Sequence, residues 1–147
     1  MKKDLMVLSL AFLSLTGTAV AAPAADEKPY TEGVVTNVTF VRTKDGKNMD
    51  YLNYLKNNWK PEQEAMKKAG LVTEYHVYAS ESRHPGEANI ILTVSYPNWA
   101  TLDKTAEFDA VTIKQEGSLK QADKGFADRG SIREILGSET VQELNLK

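Results

Sequence analysis

Residues 71–98, LVTEYHVYASESRHPGEANIILTVSYPN, decide the architecture, because they read as two strands in succession between two helical stretches. In the first run Tyr75, Val77 and Ala79 alternate with Glu74, His76 and Tyr78; in the second Ile90, Leu92, Val94 and Tyr96 alternate with Ile91, Thr93 and Ser95. Period-two alternation puts successive side chains on opposite faces, so each run has an oilier and a more polar side. The connection ESRHPGEA is mostly polar and carries Pro85 and Gly86, which predicts a hairpin with a loop longer than two residues.

Upstream, KNMDYLNYLKNNWKPEQEAMKKAG places Leu52, Leu55, Trp59 and Met66 on one helical stripe, with Asp50, Asn53, Asn57, Lys60, Glu64 and Lys67 opposite. Tyr51 and Tyr54 fall at the edges of that stripe. Pro61 is expected to kink or restart the helix and Gly70 to end it. Before the helix, VVTNVTFVR alternates Val34, Val38 and Phe40 with Val35, Asn37, Thr39 and Val41, a first strand closed by an Asp45-Gly46 turn.

Downstream, Pro97-Asn98 supplies a proline and a helix cap ahead of a second stripe of Trp99, Leu102, Ala106 and Ile113. Gly117-Ser118 breaks that helix, and Ser118 with Gln121 has capping-box spacing for a further one carrying Leu119, Ala122 and Phe126, ended by Gly130. The tail predicts a fourth strand around Ile132 to Leu136, a turn at Gly137, and a terminal strand or loose helix containing Val141, Leu144 and Leu146. The order βαββαβ is the split βαβ, or ferredoxin-like, α+β plan: an antiparallel sheet with its helices on one face. The other face is left open.

The N-terminus MKKDLMVLSLAFLSLTGTAVAA has a positive start, an apolar run from Leu5 to Leu15 and a small-residue Ala19-Val20-Ala21 pattern, which reads as a cleavable signal peptide over residues 1–21. Its apolar run is shorter than the roughly 20 residues of a membrane span, so no membrane association is expected after cleavage. Periplasmic location is the first expectation and secretion the second. Residues 22–33 read as a flexible linker and residues 34–147 as one domain. The chain has no cysteine, so packing without disulfides must hold it. With 18 basic and 20 acidic residues interspersed, a net charge of −2 indicates no nucleic-acid footprint.

A strand followed by YLNYLKNNWKPEQEAMKKAG, LVTEYHVYAS and NIILTVSYPNW resembles the dimeric α+β barrel superfamily, and the C-terminal ADRGSIREILGSETVQEL looks like an uncharacterised exported branch related in fold to antibiotic-biosynthesis-type monooxygenases. The resemblance covers about residues 34–147 and lies in element order rather than in a catalytic motif. It implies a homodimer whose sheets close a barrel, and a small, often aromatic or polycyclic, molecule bound between sheet and helices.

Candidate site residues follow from the strand faces. If the oilier faces meet the helices, Asn37, Thr39, Glu74, His76, Tyr78, Thr93 and Ser95 share the other side. On one reading that side is a barrel interior where His76, beside Glu74, moves a proton or orients a ligand; on the other it only meets a second subunit or water. Tyr54, Trp59, Tyr78 and Trp99 are the aromatic residues expected to shape a pocket, with Asn37, Glu74 and His76 as polar contacts. His84 reads as a solvated loop residue, and without cysteine or a third convergent ligand neither a metal nor another cofactor is expected. Arg129 is expected to face a helix C-terminus and Arg133 a carboxylate, with anion binding the lesser alternative. Three functions fit these residues: a binder of a small apolar or aromatic molecule, a cofactor-independent oxygenase or isomerase using His76 as acid/base, and a structural association module.

Overall fold

The computed structural model describes residues 27–81 and 84–147; the signal-peptide expectation for residues 1–21 lies outside them. Four strands, β1 (Tyr30–Thr43), β2 (Glu74–Ala79), β3 (Ile90–Tyr96) and β4 (Arg133–Leu146), form one antiparallel sheet in the order β2-β3-β1-β4. Between β1 and β2 run α1 (Asn48–Tyr54), a π turn (Leu55–Trp59) and α2 (Lys60–Lys68). A 3-10 turn (Trp99–Asp103), α3 (Thr105–Glu116), α4 (Leu119–Asp128) and a second 3-10 turn (Arg129–Ser131) connect β3 to β4. This strand order, with β1 and β3 central, is the ferredoxin-like α+β fold that the hairpin predicts.

The helices cover one face. Val41, Ile90 and Leu92 of the sheet pack on Tyr51 and Leu55, while Met66, Leu71 and Val72 gather Val94, Tyr96, Phe108 and Val111 into a second cluster. Each fully buried aliphatic side chain there contributes about 1.5–3 kcal/mol relative to exposure. Gly70, at φ +74°, ends α2: its backbone allows Leu71 N–H to reach back to Met66 O at 3.0 Å, satisfying a terminal carbonyl.

Pro61 acts as expected, through a specific device. A proline ring collides with the carbonyl four residues earlier and offers no N–H, and the helix answers by widening one turn so that Lys60 N–H bonds Leu55 O, five residues back. The helix therefore continues through the proline, and Trp59 sits at the end of the widened turn.

Four expectations need correction. Along β1 it is Val35 and Val41, both fully buried, that face the helices, together with Asn37 and Thr39, whereas Val38 and Phe40 lie on the open side. The polar residues are tolerated on the helix side because they bond along it: Thr39 Oγ1 donates to Asn37 Oδ1 at 3.0 Å, and Asn37 Nδ2 donates to Thr140 Oγ1 at 3.3 Å. β1 also begins at Tyr30, so residues 30–33 of the expected linker are strand, paired through Tyr30 with Leu146 and Glu32 with Leu144. Gly137 makes no turn: β4 runs unbroken, and Leu136 is an extra residue bulged between the pairs Phe40–Gly137 and Val41–Ile135.

The fourth correction is the second stripe. Asn98 does cap, its side chain accepting from Thr101 N at 3.1 Å, but the helix it starts is a 3-10 turn that stops before α3. The break at Lys104 resets the phase, so α3 packs through Phe108 and Val111 while Trp99 and Ile113 are exposed. Ser118 caps α4 as its spacing predicts, accepting from Gln121 N at 3.2 Å.

Candidate functional site

A cavity of about 230 Å³ lies between the sheet and the helical layer. Its floor is Thr39, Val41 and Leu92, central sheet residues on the covered face. α1 supplies Tyr51 and Tyr54, the π turn supplies Trp59, and α2 supplies Glu62. The far wall is the α4–β4 junction: Phe126, Arg129, Arg133 and Ile135. Every wall thus comes from a different element, and Trp59 is held in place by an edge-on contact with Tyr75 of β2, ring centroids 5.4 Å apart.

The two arginines give the cavity its character. Arg133, the first residue of β4, is only 7% exposed and lies with its guanidinium carbon 4.6 Å from the Phe126 ring centroid. Arg129 covers the Tyr54 ring at 4.4 Å and approaches Phe126 at 5.8 Å. Arg129 does stand at the C-terminal end of α4, as expected, whereas the carboxylate expected beside Arg133 is not there. Among the described residues no carboxylate oxygen lies within ion-pair distance of either guanidinium; both are held on aromatic faces.

Burial pushes the Tyr51 and Tyr54 hydroxyls above their ordinary value, against the opposing pull of the nearby arginines, so both are neutral donors at physiological pH. Burial also raises the Glu62 carboxyl, and Glu116 adds to the rise; Arg129 and the Thr112 hydroxyl act the other way without reversing it. Aromatic walls, two guanidinium groups, two phenols and a carboxyl with a raised pKa can hold a planar ring, fix an oxyanion and exchange a proton.

The sheet divides the residues singled out from sequence. Tyr54 and Trp59 line the cavity. Asn37 is on the same side in the polar ladder beside Thr39, and Trp99 is at the other end of that side, its indole N–H donating to Gln142 Oε1 at 3.0 Å. Glu74, His76 and Tyr78 stand on the opposite, open face, all exposed. His76 Nε2 and Glu74 Oε2 are 3.6 Å apart, and the His76 and Tyr78 rings are 5.8 Å apart, so the imidazole meets its expected carboxylate but is separated by the sheet from Tyr54 and Trp59. His84 is exposed in the hairpin loop, where its N–H donates to Glu87 Oε2 at 3.2 Å.

Sequence reasoning missed Tyr51, Glu62, Phe126, Arg129 and Arg133 as one group. A signal does exist: Phe126, Arg129 and Arg133 recur at helical spacing across the point where α4 gives way to β4. The open face carries a shallower depression of about 510 Å³ beside Phe40, Ile91, Leu136 and Glu139.

Strand order and one-sided helical cover define a ferredoxin-like α+β domain. Solved structures similar to the chain include HapK from Hahella chejuensis, at 10% identity and a TM-score of 0.49 over 74% of this chain and 91% of that one. A NIPSNAP-family protein of unknown function from Agrobacterium tumefaciens is 18% identical, with a TM-score of 0.46 over 78% of this chain and 90% of that one. A dimeric ferredoxin-like protein of unknown function from Bacteroides fragilis is 18% identical, with a TM-score of 0.40 over 76% and 95%. No protein-family model matches the chain, and no curated protein matches it.

Proposed function

We propose that this chain is an exported, homodimeric binding protein that holds a small aromatic molecule in the cavity between its sheet and its helices. The observation that carries the reading is the cavity itself: aromatic side chains from three elements surround about 230 Å³ of space with a few polar groups converging on it. The open sheet face supports the dimer. Val38, Phe40 and Ile91 there are only partly buried, Leu136 and Val141 are exposed, and a second copy of the same face would cover them. Export rests on the residues before position 22, and N-terminal sequencing of the protein recovered from the periplasm tests it: a chain still beginning at Met1 speaks against it.

An enzyme is the second reading, and one observation favours it: Glu62 is a carboxyl of raised pKa inside the cavity. On this reading Glu62, and not His76, is the candidate acid/base group, because His76 faces away from Tyr54 and Trp59.

Native mass spectrometry of the purified protein tests the binding reading together with the dimer. The expected result is a dimer carrying one small aromatic molecule per subunit, with Phe40→Asp giving monomers. Cavity binding is refuted if no small aromatic compound binds at any concentration while a Trp59→Ala variant behaves as wild type. A stable monomer at high concentration removes the dimer.

A further inference from the structure

Resting on the binding reading above, the geometry points to a narrower class of ligand: we propose that the interlayer cavity selects a one-ring aromatic carboxylate, its carboxylate held by Arg133 and Arg129 and its ring by Tyr54, Trp59 and Phe126.

The first ground is the state of the two cations. A guanidinium taken out of water normally finds a carboxylate, because an uncompensated buried charge is costly. Arg133 is 7% exposed, and neither it nor Arg129 belongs to an ion pair among the described residues. The one carboxyl lining the cavity, Glu62, forms no ion pair with either guanidinium: Arg129 pulls its pKa down, but burial and Glu116 outweigh that pull. The two guanidinium groups therefore stand in the cavity wall without a contacting carboxylate among the described residues.

The second ground is arrangement. Both guanidinium groups approach the same Phe126 ring, at 4.6 and 5.8 Å, so two like charges are kept close together beside one aromatic face. A shared anion relieves their repulsion, and the planar fork of arginine matches the two oxygens of a carboxylate. The Tyr51 hydroxyl oxygen accepts from Arg133, which helps to hold that guanidinium in place, and both it and Tyr54 keep a neutral O–H on the same side.

The third ground is size. A cavity of roughly 150 Å³ already accommodates benzene. About 230 Å³ suits one ring with a carboxylate and a small substituent.

Titration of the purified protein with benzoate and with its neutral isostere benzamide, followed by calorimetry at neutral pH, tests the assignment. Benzoate is expected to bind at least about tenfold more tightly than benzamide, the scale of one charge-assisted hydrogen bond. Arg129→Gln should abolish most of that preference by lowering benzoate affinity far more than benzamide affinity, and Arg133→Lys should reduce it because one amine cannot replace the fork. Arg133→Gln should erase it; should that variant not fold, Arg129→Gln at its half-buried site carries the test. Equal affinity for the two probes, or a benzoate preference that survives Arg129→Gln in folded protein, overturns the carboxylate assignment and leaves the cavity as an aromatic site. Failure of both probes to bind overturns this assignment alone; the binding reading falls only if the wider set of small aromatic compounds also fails to bind.

Discussion

The Arg129 guanidinium stands 4.4 Å from the centroid of the Tyr54 ring, clamping the α4–β4 junction onto α1 across the mouth of the cavity. Removing it should have two separable effects. Arg129→Ala is expected to cost about 1 kcal/mol of stability, the size of a partly desolvated cation–π contact, read by urea unfolding. It should also raise the Tyr54 hydroxyl further, since Arg129 opposes the upward push of burial. Phenolate absorbance on alkaline titration reads that shift; an unchanged tyrosine profile would mean that the cation does not feel the ring in solution.

Pro61 places Trp59 by forcing the widened helical turn. Pro61→Ala restores the missing N–H and removes the ring, so the helix is expected to close into regular α geometry with equal or higher stability. Closing the turn drops one residue from it and rotates Trp59 by about 100° relative to α2. The near-ultraviolet circular dichroism of the indole should change and ligand affinity should fall, while the far-ultraviolet spectrum stays helical. A tryptophan signal identical to wild type would show that tertiary packing, and not the proline, holds the π turn.

Glu62 carries a pH dependence whose sign follows from its raised pKa. The folded state binds the Glu62 proton more tightly than the unfolded state does, so this group's contribution is full below the ordinary carboxylate value of 4.5 and is lost as pH rises through the folded value. Glu62→Gln should therefore stabilise the protein at neutral pH and give little gain near pH 4. Paired thermal melts across that range check it. A variant destabilised at neutral pH would indicate that Glu62 is held as an ion pair.

Tyr75 donates its hydroxyl hydrogen to Glu64, and its pKa is pushed up to about 12, chiefly by that hydrogen bond. Ultraviolet titration should find, among the tyrosines that ionise late, one that returns toward 10 in Glu64→Gln. Because the folded pKa is the higher one, the bond's contribution is present below about pH 10 and disappears as pH rises through about 12. The same substitution loosens the ring against which Trp59 rests, so a small change in indole fluorescence should accompany it.

The hairpin strands were legible because their two faces differ sharply: Ile90, Leu92, Val94 and Tyr96 cannot be exchanged for Ile91, Thr93 and Ser95 without exposing the larger apolar area, and the fold keeps them under the helices. β1 was ambiguous for the opposite reason. Val34, Val38 and Phe40 compete with Val35 and Val41, and a sheet open on one side has a use for apolar groups on both. Counting hydrophobic residues chose the wrong face, and that inversion moved Asn37 and Thr39 away from His76. Trp99 was misplaced by a different route, because a 3-10 turn followed by a break changes the angular phase that a continuous helix would keep.

The sequence by itself determined the element order, the helix irregularity at Pro61, the stop at Gly70 and the inward face of the central hairpin, since each depends on backbone stereochemistry or on alternation among near neighbours. Only the tertiary structure decided the cavity. Its lining comes from Thr39, Tyr54, Glu62, Phe126 and Arg133, residues up to 94 positions apart, and their convergence follows from the order in which strands join a sheet. Local pattern holds no record of that order, so two arginines that read as surface charges along the chain meet over one phenyl ring only after the last strand has paired with the first.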